Sequence, residues 1–260
     1  RTLFAFWQQC NKRTNKRSMQ KAPIIKKMKV SIILPTYNEK ENIVAVIKDI
    51  EHYIKSPFEI LVIDDNSPDG TAQAARKLNK SNVRIIKRTI EKGLVSAIQR
   101  GIDEAKGNII VWMDCDLSHP PHLLPLLLRQ IEQEGYNIVI ASRYVKGGKD
   151  TRPLLRRTYS TAINIFARLL LSYKITDYTT GFVAGRKEIF RDIRLKGNYG
   201  EYCIQFLYEA YKHGFKIKEI PYTTFDRISG KTKTADSFNA LLKHAWNYGN
   251  MVIKLRFGRE

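Results

Sequence analysis

The chain predicts an α/β fold, a mainly parallel sheet with helices on both faces, and three observations carry that expectation. Short apolar runs alternate with amphipathic helical stretches from Lys29 to Ser142. The runs are apolar at successive positions, as strands buried on both faces are, and not at every second position. Gly, Pro or Asn punctuates the joints, which suits the short connections of a layered domain.

Taken in order, KVSIILP (29–35) reads as a strand, Asn42 to Tyr53 as an amphipathic helix and FEILVID (58–64) as a strand. Thr71 to Leu78 follows as a helix, NVRIIKR (82–88) as a strand and Leu94 to Ala105 as a helix. NIIVWMD (108–114), a helix from His122 to Gln133, and YNIVIAS (136–142) complete the alternation. Further on, Ala162 to Tyr173 sets Ile163, Phe166, Leu169 and Leu170 at helical spacing, with Arg168 among them. Phe238 to Phe257 does the same with Leu241, Leu242, Ala245 and Trp246, edged by Lys243, Lys254 and Arg256. Such stripes serve as packing core or as amphipathic interfacial helices whose basic side chains snorkel. The expected organisation is a basic arm over 1–27, one α/β domain over 28–235 and a C-terminal amphipathic helix over 236–260.

A chain of 260 residues with 43% hydrophobic content supports a sizeable core. No apolar run reaches the roughly 18 to 20 residues a bilayer requires. Cys10, Cys115 and Cys203 form no CxxC pair, so neither a zinc site nor a disulfide framework is expected and a reducing compartment is the default. The net charge is +20, and it is uneven: residues 1–29 hold 9 Lys/Arg and no acid, 30–140 hold 13 against 15 acids, and 141–260 hold 23 against 10. The basic C-terminal half favours an anionic partner, whether nucleic acid, a membrane face or a phosphorylated substrate.

Ligands of parallel sheets collect beyond the carboxyl ends of the strands. There the chain places Pro35-Thr36-Tyr37-Asn38-Glu39, Asp64-Asp65-Asn66-Ser67, Asp114-Cys115-Asp116 and Ser142-Arg143-Tyr144. Acids converging from separate strands repel unless a cation or hydrogen-bond donors offset them. A hard divalent ion, Mg²⁺ or Mn²⁺, shared with a substrate diphosphate fits an Asp-x-Asp turn better than an all-protein cage does. The two prolines after it, Pro120 and Pro121, mark the turn that brings both carboxylates round.

Together, SIILPTYNEKENI, ILVIDDNSPDGT, EKGLVSAIQRG, VWMDCDLSHPP, ASRYVKGG and DYTTGF resemble the family 2 glycosyltransferases of the GT-A fold, over about residues 28 to 235. More narrowly they resemble the dolichol-phosphate mannose synthases and related polyprenyl-phosphate glycosyltransferases. The resemblance implies that Pro35, Tyr37, Glu39, Asp64, Asp65 and Asp114 bind the nucleotide sugar. It also implies that Asp114 and Asp116 hold the metal, with Ser118 standing where members of this type often carry Gln and reaching the ion through water. Arg143, Arg156 or its neighbour Arg157, Ser160, Arg227 and Lys233 are implied at the acceptor phosphate, and Asp177 near the mannose or the acceptor. His119 matches no role in this subgroup, and loop hydrogen bonding is expected of it. Asp116 and Arg143 are the implied catalytic pair.

The expected reaction is inverting transfer of mannose from GDP-mannose to dolichyl (polyprenyl) phosphate, with UDP-glucose or another UDP-sugar as the alternative donor. A lipid phosphate is already anionic near neutral pH, so its attack hardly requires a general base, and positioning and charge stabilisation remain. The expected place is the cytoplasmic face of a membrane, held peripherally or by a separate anchoring subunit. The alternative of another class is a basic membrane- or nucleic-acid-binding protein without catalysis. Acids at the strand ends speak against a nucleic-acid partner.

Overall fold

The computed structural model describes residues 29–224 and 238–258. The arm expected over 1–27, and Arg227 and Lys233, lie outside the described residues. The first half follows the expected alternation: β1 (Val30–Thr36), α1 (Lys40–Tyr53), β2 (Phe58–Asp64), α2 (Thr71–Lys77), β3 (Val83–Lys87), α3 (Leu94–Glu104), β4 (Ile109–Trp112), α4 (Leu124–Glu132) and β5 (Ile138–Ser142). The second half adds β6 (Lys149–Asp150), α5 (Leu154–Leu170), β7 (Val183–Arg186), α6 (Tyr202–Lys212), β8 (Ile217–Pro221), β9 (Thr223–Thr224) and α7 (Phe238–Phe257).

The main sheet runs β3-β2-β1-β4-β7-β5-β8, and β6 pairs with β9 in a separate ribbon. β1 lies parallel to β2 and β4, β2 to β3, and β5 to β8. Only β7 departs: it is antiparallel to both neighbours, β4 and β5. Ile32 and Leu34 face a core layer built with α1 and α4, while Ile33 faces a second layer with α3 and α6. Neighbouring residues of one strand are thus buried on opposite faces, which is why the strand reads as an unbroken apolar run.

The C-terminal half corrects two expectations. α5 starts at Leu154, directly after Pro153, and not at Ala162; proline pre-sets the backbone for entry into a helix. RPLLRRTYS therefore becomes the first turns of α5, and Arg156, Ser160 and Asn164 fall four apart on one face. The apolar stripe of α5 also divides. Ile163 and Ala167 are buried and Leu170 packs against them, whereas Phe166 and Leu169 are exposed with Leu154, Leu155 and Ile165. On α7, Tyr248 and Val252 are buried while Trp246, Ile253 and Phe257 are exposed. Among the described residues no helix is long and apolar enough to cross a membrane.

Glu59 supports the opposite edge of the sheet from the strand-end acids. It is buried, accepts hydrogen bonds from the Ser31 hydroxyl (2.7 Å) and the Lys106 amide (2.6 Å), and pairs with Arg84 at 3.2 Å. Burial pushes its pKa up, but the donors from Ser31, Lys106 and Arg84 outweigh that and hold it below its ordinary value. A depressed folded-state pKa contributes stability above the unfolded value and loses it as pH falls through the lower folded one. Glu59→Gln is expected to flatten the acid limb of Tm against pH below about pH 4.5, read by thermal melts at a series of pH values.

Gly101 of α3 explains the last residue of EKGLVSAIQRG. A methyl group there would sit 2.4 Å from Ile33 Cγ2, so helix and sheet are in direct contact. Alanine gains up to about 1 kcal/mol of helix propensity, but overpacking costs about 1 to 3 kcal/mol. Gly101→Ala is expected to lower the urea midpoint.

Candidate active site

A cavity of about 540 Å³ opens over the carboxyl ends of β1, β2, β4 and β5, the position where parallel sheets receive ligands. Of the residues expected on the nucleotide sugar and metal, Pro35, Tyr37, Glu39, Asp65, Asp114, Asp116 and Ser118 line it. Asp64 does not. Its fully buried carboxylate accepts the Ser67 amide (3.0 Å) and hydroxyl (2.5 Å) and the Thr36 hydroxyl (3.3 Å). Ser67 Oγ in turn accepts the Asn38 amide at 3.0 Å. Asp64 therefore braces the loops that carry the cavity wall, a task invisible while the two loops are read separately.

Asp65 is held by a residue the sequence reading passed over. Arg88 Nε donates to Asp65 Oδ1 at 2.6 Å, and the Gly93 amide donates to Oδ2 at 2.8 Å. Arg88, itself buried, also donates to Ser96 Oγ and to the Gly93 carbonyl, each at 2.9 Å. The signal was available in the register: Asp64 stands opposite Lys87 on the parallel pair β2–β3, which sets Asp65 beside Arg88.

The Asp-x-Asp turn is made at Leu117, whose φ of 64° is left-handed. Leucine adopts that conformation at a cost of roughly 1 to 2 kcal/mol, and the bonds around it hold it there. Ser118 donates its amide (3.0 Å) and hydroxyl (2.6 Å) to Asp116 Oδ1. The prolines do not make the turn: Pro121 opens a 3₁₀ turn, Pro121–Leu123, that leads into α4. His119 Nδ1 accepts the Asp114 amide at 2.9 Å, the loop hydrogen bond expected of it.

Across the cavity stand Arg143, Arg152 and Arg156. Arg143 is engaged before any ligand arrives. Its Nε and Nη2 donate to Asp177 Oδ2 (2.8 Å) and Oδ1 (2.6 Å), Nη2 also reaches Thr179 Oγ1 (2.7 Å), and its amide donates to Asp177 Oδ2 (3.0 Å). Burial alone would lower the guanidinium pKa, and the Asp177 carboxylate reverses this and holds it well above its ordinary value. Nη1 lies 3.8 Å from Asp150 Oδ2. Asp150 is itself gripped at both oxygens by Arg152, at 2.9 and 2.7 Å. Arg152 is a cavity residue the sequence reading missed.

The open choice between Arg156 and Arg157 is resolved in place if not in role: Arg156 lines the cavity and Arg157 is exposed. Ser160 stands behind the wall, 3.2 Å from Thr179 Oγ1, and it is Thr179 that lines the cavity. Glu201, at the start of α6, accepts the amides of Asn198 (2.7 Å) and Tyr199 (3.2 Å). Burial pushes the Cys203 thiol up to about 12, so it is no thiolate nucleophile near neutral pH. Among the described residues no three Asp, Glu, His or Cys side chains gather to hold a metal ion unaided. The donors that Asp114, Asp116 and Ser118 bring to the rim are hard oxygens, which fit Mg²⁺ or Mn²⁺ completing its shell with water and substrate phosphate.

A mainly parallel sheet with oxygen donors at its strand ends and guanidinium groups facing them is the architecture of the GT-A fold. The chain belongs to glycosyl transferase family 2, whose family model matches residues 31–194. It is 40% identical over 211 residues to a dolichol-phosphate mannosyltransferase of Pyrococcus furiosus, an alignment that covers 79% of this chain and 59% of that one. It is 36% identical over 216 residues to a polyprenol monophosphomannose synthase of Mycolicibacterium smegmatis, covering 79% of this chain and 81% of that one. In fold it is similar to glucosyl-3-phosphoglycerate synthase of Mycobacterium tuberculosis, solved with Mn²⁺, UDP and glucosyl-3-phosphoglycerate. The TM-score is 0.70 at 19% identity, over 90% of this chain and 81% of that chain.

The Arg143–Asp177 pair makes a stability prediction. Removing one member of a buried pair costs about 3 to 5 kcal/mol, because the other charge is left unpaired. Arg143→Ala is therefore expected to destabilise the fold by about that much, and adding Asp177→Ala to cost much less than the sum of the single changes. Urea unfolding of the two single variants and the double variant measures the coupling.

Proposed function

We propose that the chain transfers mannose from GDP-mannose to a polyprenyl (dolichyl) phosphate with inversion at the anomeric carbon. The two curated relatives support the lipid phosphate and the mannose. The observation that carries the reading is on the acceptor side. Asp150 is bidentate to Arg152, Asp177 is bidentate to Arg143, and Glu201 holds two backbone amides. The acids there are committed to partners, which suits an acceptor that arrives already ionised and asks for no general base.

Pro35, Tyr37, Glu39 and Asp65 form the nucleotide wall, and Asp114 and Asp116 turn oxygen donors toward the diphosphate. Asp114 and Asp116 would hold a divalent ion there, Mg²⁺ or Mn²⁺, which would neutralise charge on the departing diphosphate. Arg156, Arg152 and the Nη1 edge of Arg143 receive the lipid phosphate, with Ser160 behind them and Arg227 and Lys233 as the remaining acceptor residues expected. One phosphate oxygen forms a bond to the anomeric carbon as the bond to the diphosphate breaks on the opposite face, and GDP leaves with that electron pair. The exposed apolar residues of α5 and α7, Leu154, Leu155, Leu169, Trp246 and Phe257, lie among Arg157, Arg168, Lys254 and Arg256. That mixture suits peripheral contact with an anionic membrane face on the cytoplasmic side, with or without an anchoring subunit.

The test is incubation with labelled nucleotide sugars and dolichyl phosphate, with and without Mg²⁺ or Mn²⁺. Label is expected in the lipid from GDP-mannose and only with a divalent ion. No transfer from any donor overturns the reading; transfer from UDP-glucose alone moves the donor and leaves the acceptor. Asp116→Asn is expected to cost about 10²-fold or more in turnover. Arg156→Ala is expected to raise the KM for the lipid phosphate about tenfold, one charge-assisted hydrogen bond.

A further inference from the structure

The reaction so described leaves His119 without a task, although its setting is among the most constrained at the site. Only 5% of its surface is exposed. The ring stacks on Phe182, with centroids 5.2 Å apart and planes 16° apart, and meets the edge of Tyr222 at 6.2 Å. Beside Phe182 the chain passes as Gly181, where a methyl group would lie 3.3 Å from His119 Cε1. The ring is thus held in one plane.

In that plane its nitrogens have distinct neighbours. Nδ1 accepts the Asp114 amide at 2.9 Å, so the neutral ring carries its proton on Nε2. Nε2 lies 3.9 Å from Asp114 Oδ2, beyond hydrogen-bond length but within one side-chain rotation of it. Asp114 is the more exposed of the two carboxylates. Its side chain is 47% exposed, whereas Asp116 is buried and takes two donors from Ser118. The backbone bond to His119 fixes the peptide from which the Asp114 carboxylate projects, just past the last residue of β4.

We propose that His119 is the positioning residue for Asp114: it sets the direction of that carboxylate toward the divalent ion and does not touch ion or substrate itself. The inference rests on Asp114 and Asp116 being the seat of the ion. It differs from a packing role, which a phenyl ring of similar size would fill against Phe182 equally well. Groups that orient a metal ligand from behind commonly set affinity for the ion as strongly as they set the rate.

The test is Mn²⁺ binding to the full chain in the presence of GDP, read by electron paramagnetic resonance of free Mn²⁺, for wild type, His119→Phe and His119→Asn. His119→Phe keeps the stack and removes the acceptor, and it is expected to raise the Mn²⁺ Kd about 10- to 100-fold. GDP affinity without metal is expected to be unchanged. His119→Asn offers Oδ1 near the place of Nδ1 and is expected to recover most of the loss. In lipid transfer, the half-saturating Mn²⁺ concentration should rise in the Phe variant while kcat at saturating Mn²⁺ returns toward wild type. A folded Phe variant that binds Mn²⁺ as wild type does overturns the proposal. Should the Phe variant not fold, His119→Ala replaces it, and equal Mn²⁺ Kd values for Asn and Ala overturn it as well. A wild-type chain that binds GDP and no Mn²⁺ removes the ion, and that failure is distinct from an Mn²⁺ affinity indifferent to position 119.

Discussion

Carboxylates gathered at the ends of neighbouring strands repel one another, and the rim of this sheet is arranged around offsetting that repulsion. Asp64 is offset by Thr36 and Ser67, Asp65 by Arg88 and the Gly93 amide, and Asp116 by Ser118. Asp177 and Asp150 are offset by Arg143 and Arg152. The bonds to Asp64 from Thr36, to Asp65 from Arg88 and Gly93, and to Asp177 from Arg143 tie a strand end or loop to a segment distant in sequence, while Ser118 and Arg152 act within their own turns. The electrostatic requirement and the shape of the cavity are therefore one problem: a donor that removes repulsion also anchors the backbone it comes from.

The kind of donor differs across the cleft. On the nucleotide side hydroxyls and amides serve Asp64 and Asp116 without cancelling their charge, while Asp65 is paired with the Arg88 guanidinium. Guanidinium groups serve Asp150 and Asp177, and there the charges cancel in pairs. On the proposed reading the cation sits at the first wall and the anion at the second, where three guanidinium groups line the cavity and two carboxylates oppose them. A cleft that must hold a metal–diphosphate on one side and a second phosphate on the other needs that division, because the two phosphates repel.

The first half of the fold was legible residue by residue, since strands buried on both faces and short amphipathic helices leave strong local patterns. What escaped has a common physical cause. β7 is four residues long and antiparallel between two other strands, and so brief a run as VAGR carries no periodicity. Arg88 read as the end of a strand because its partner Asp65 is 23 positions away, and only the register of β2 on β3 joins them. Arg152 went unremarked although its partner Asp150 is only two residues away, because its meaning lies in the reach of Asp150 to Arg143. Asp64 shows the reverse error. An acid at a strand end can face into the protein as well as out of it, and the pleat sends Asp64 inward and Asp65 toward the cavity. The start of α5 was missed because the two leucines after Pro153 are exposed, so they add nothing to a buried stripe.

The Arg143–Asp177 pair bears on why the proposed acceptor site should contain acids at all. A guanidinium buried to 6% exposure without a counter-ion would carry a large desolvation cost. Left mobile, it would also lose conformational freedom on gripping each phosphate. Asp177 removes both costs by fixing Arg143 through Nε and Nη2, which leaves the Nη1 edge as the part turned toward Asp150. Attraction for the phosphate is weaker than a bare guanidinium would give, and the geometry is set in advance. For a reaction whose barrier is the approach of one anion to a carbon already joined to another, position matters more than raw attraction. A site that merely bound anions tightly would hold a lipid phosphate wherever the field was strongest; on the proposed reading, a preorganised donor edge would hold it where the anomeric carbon is.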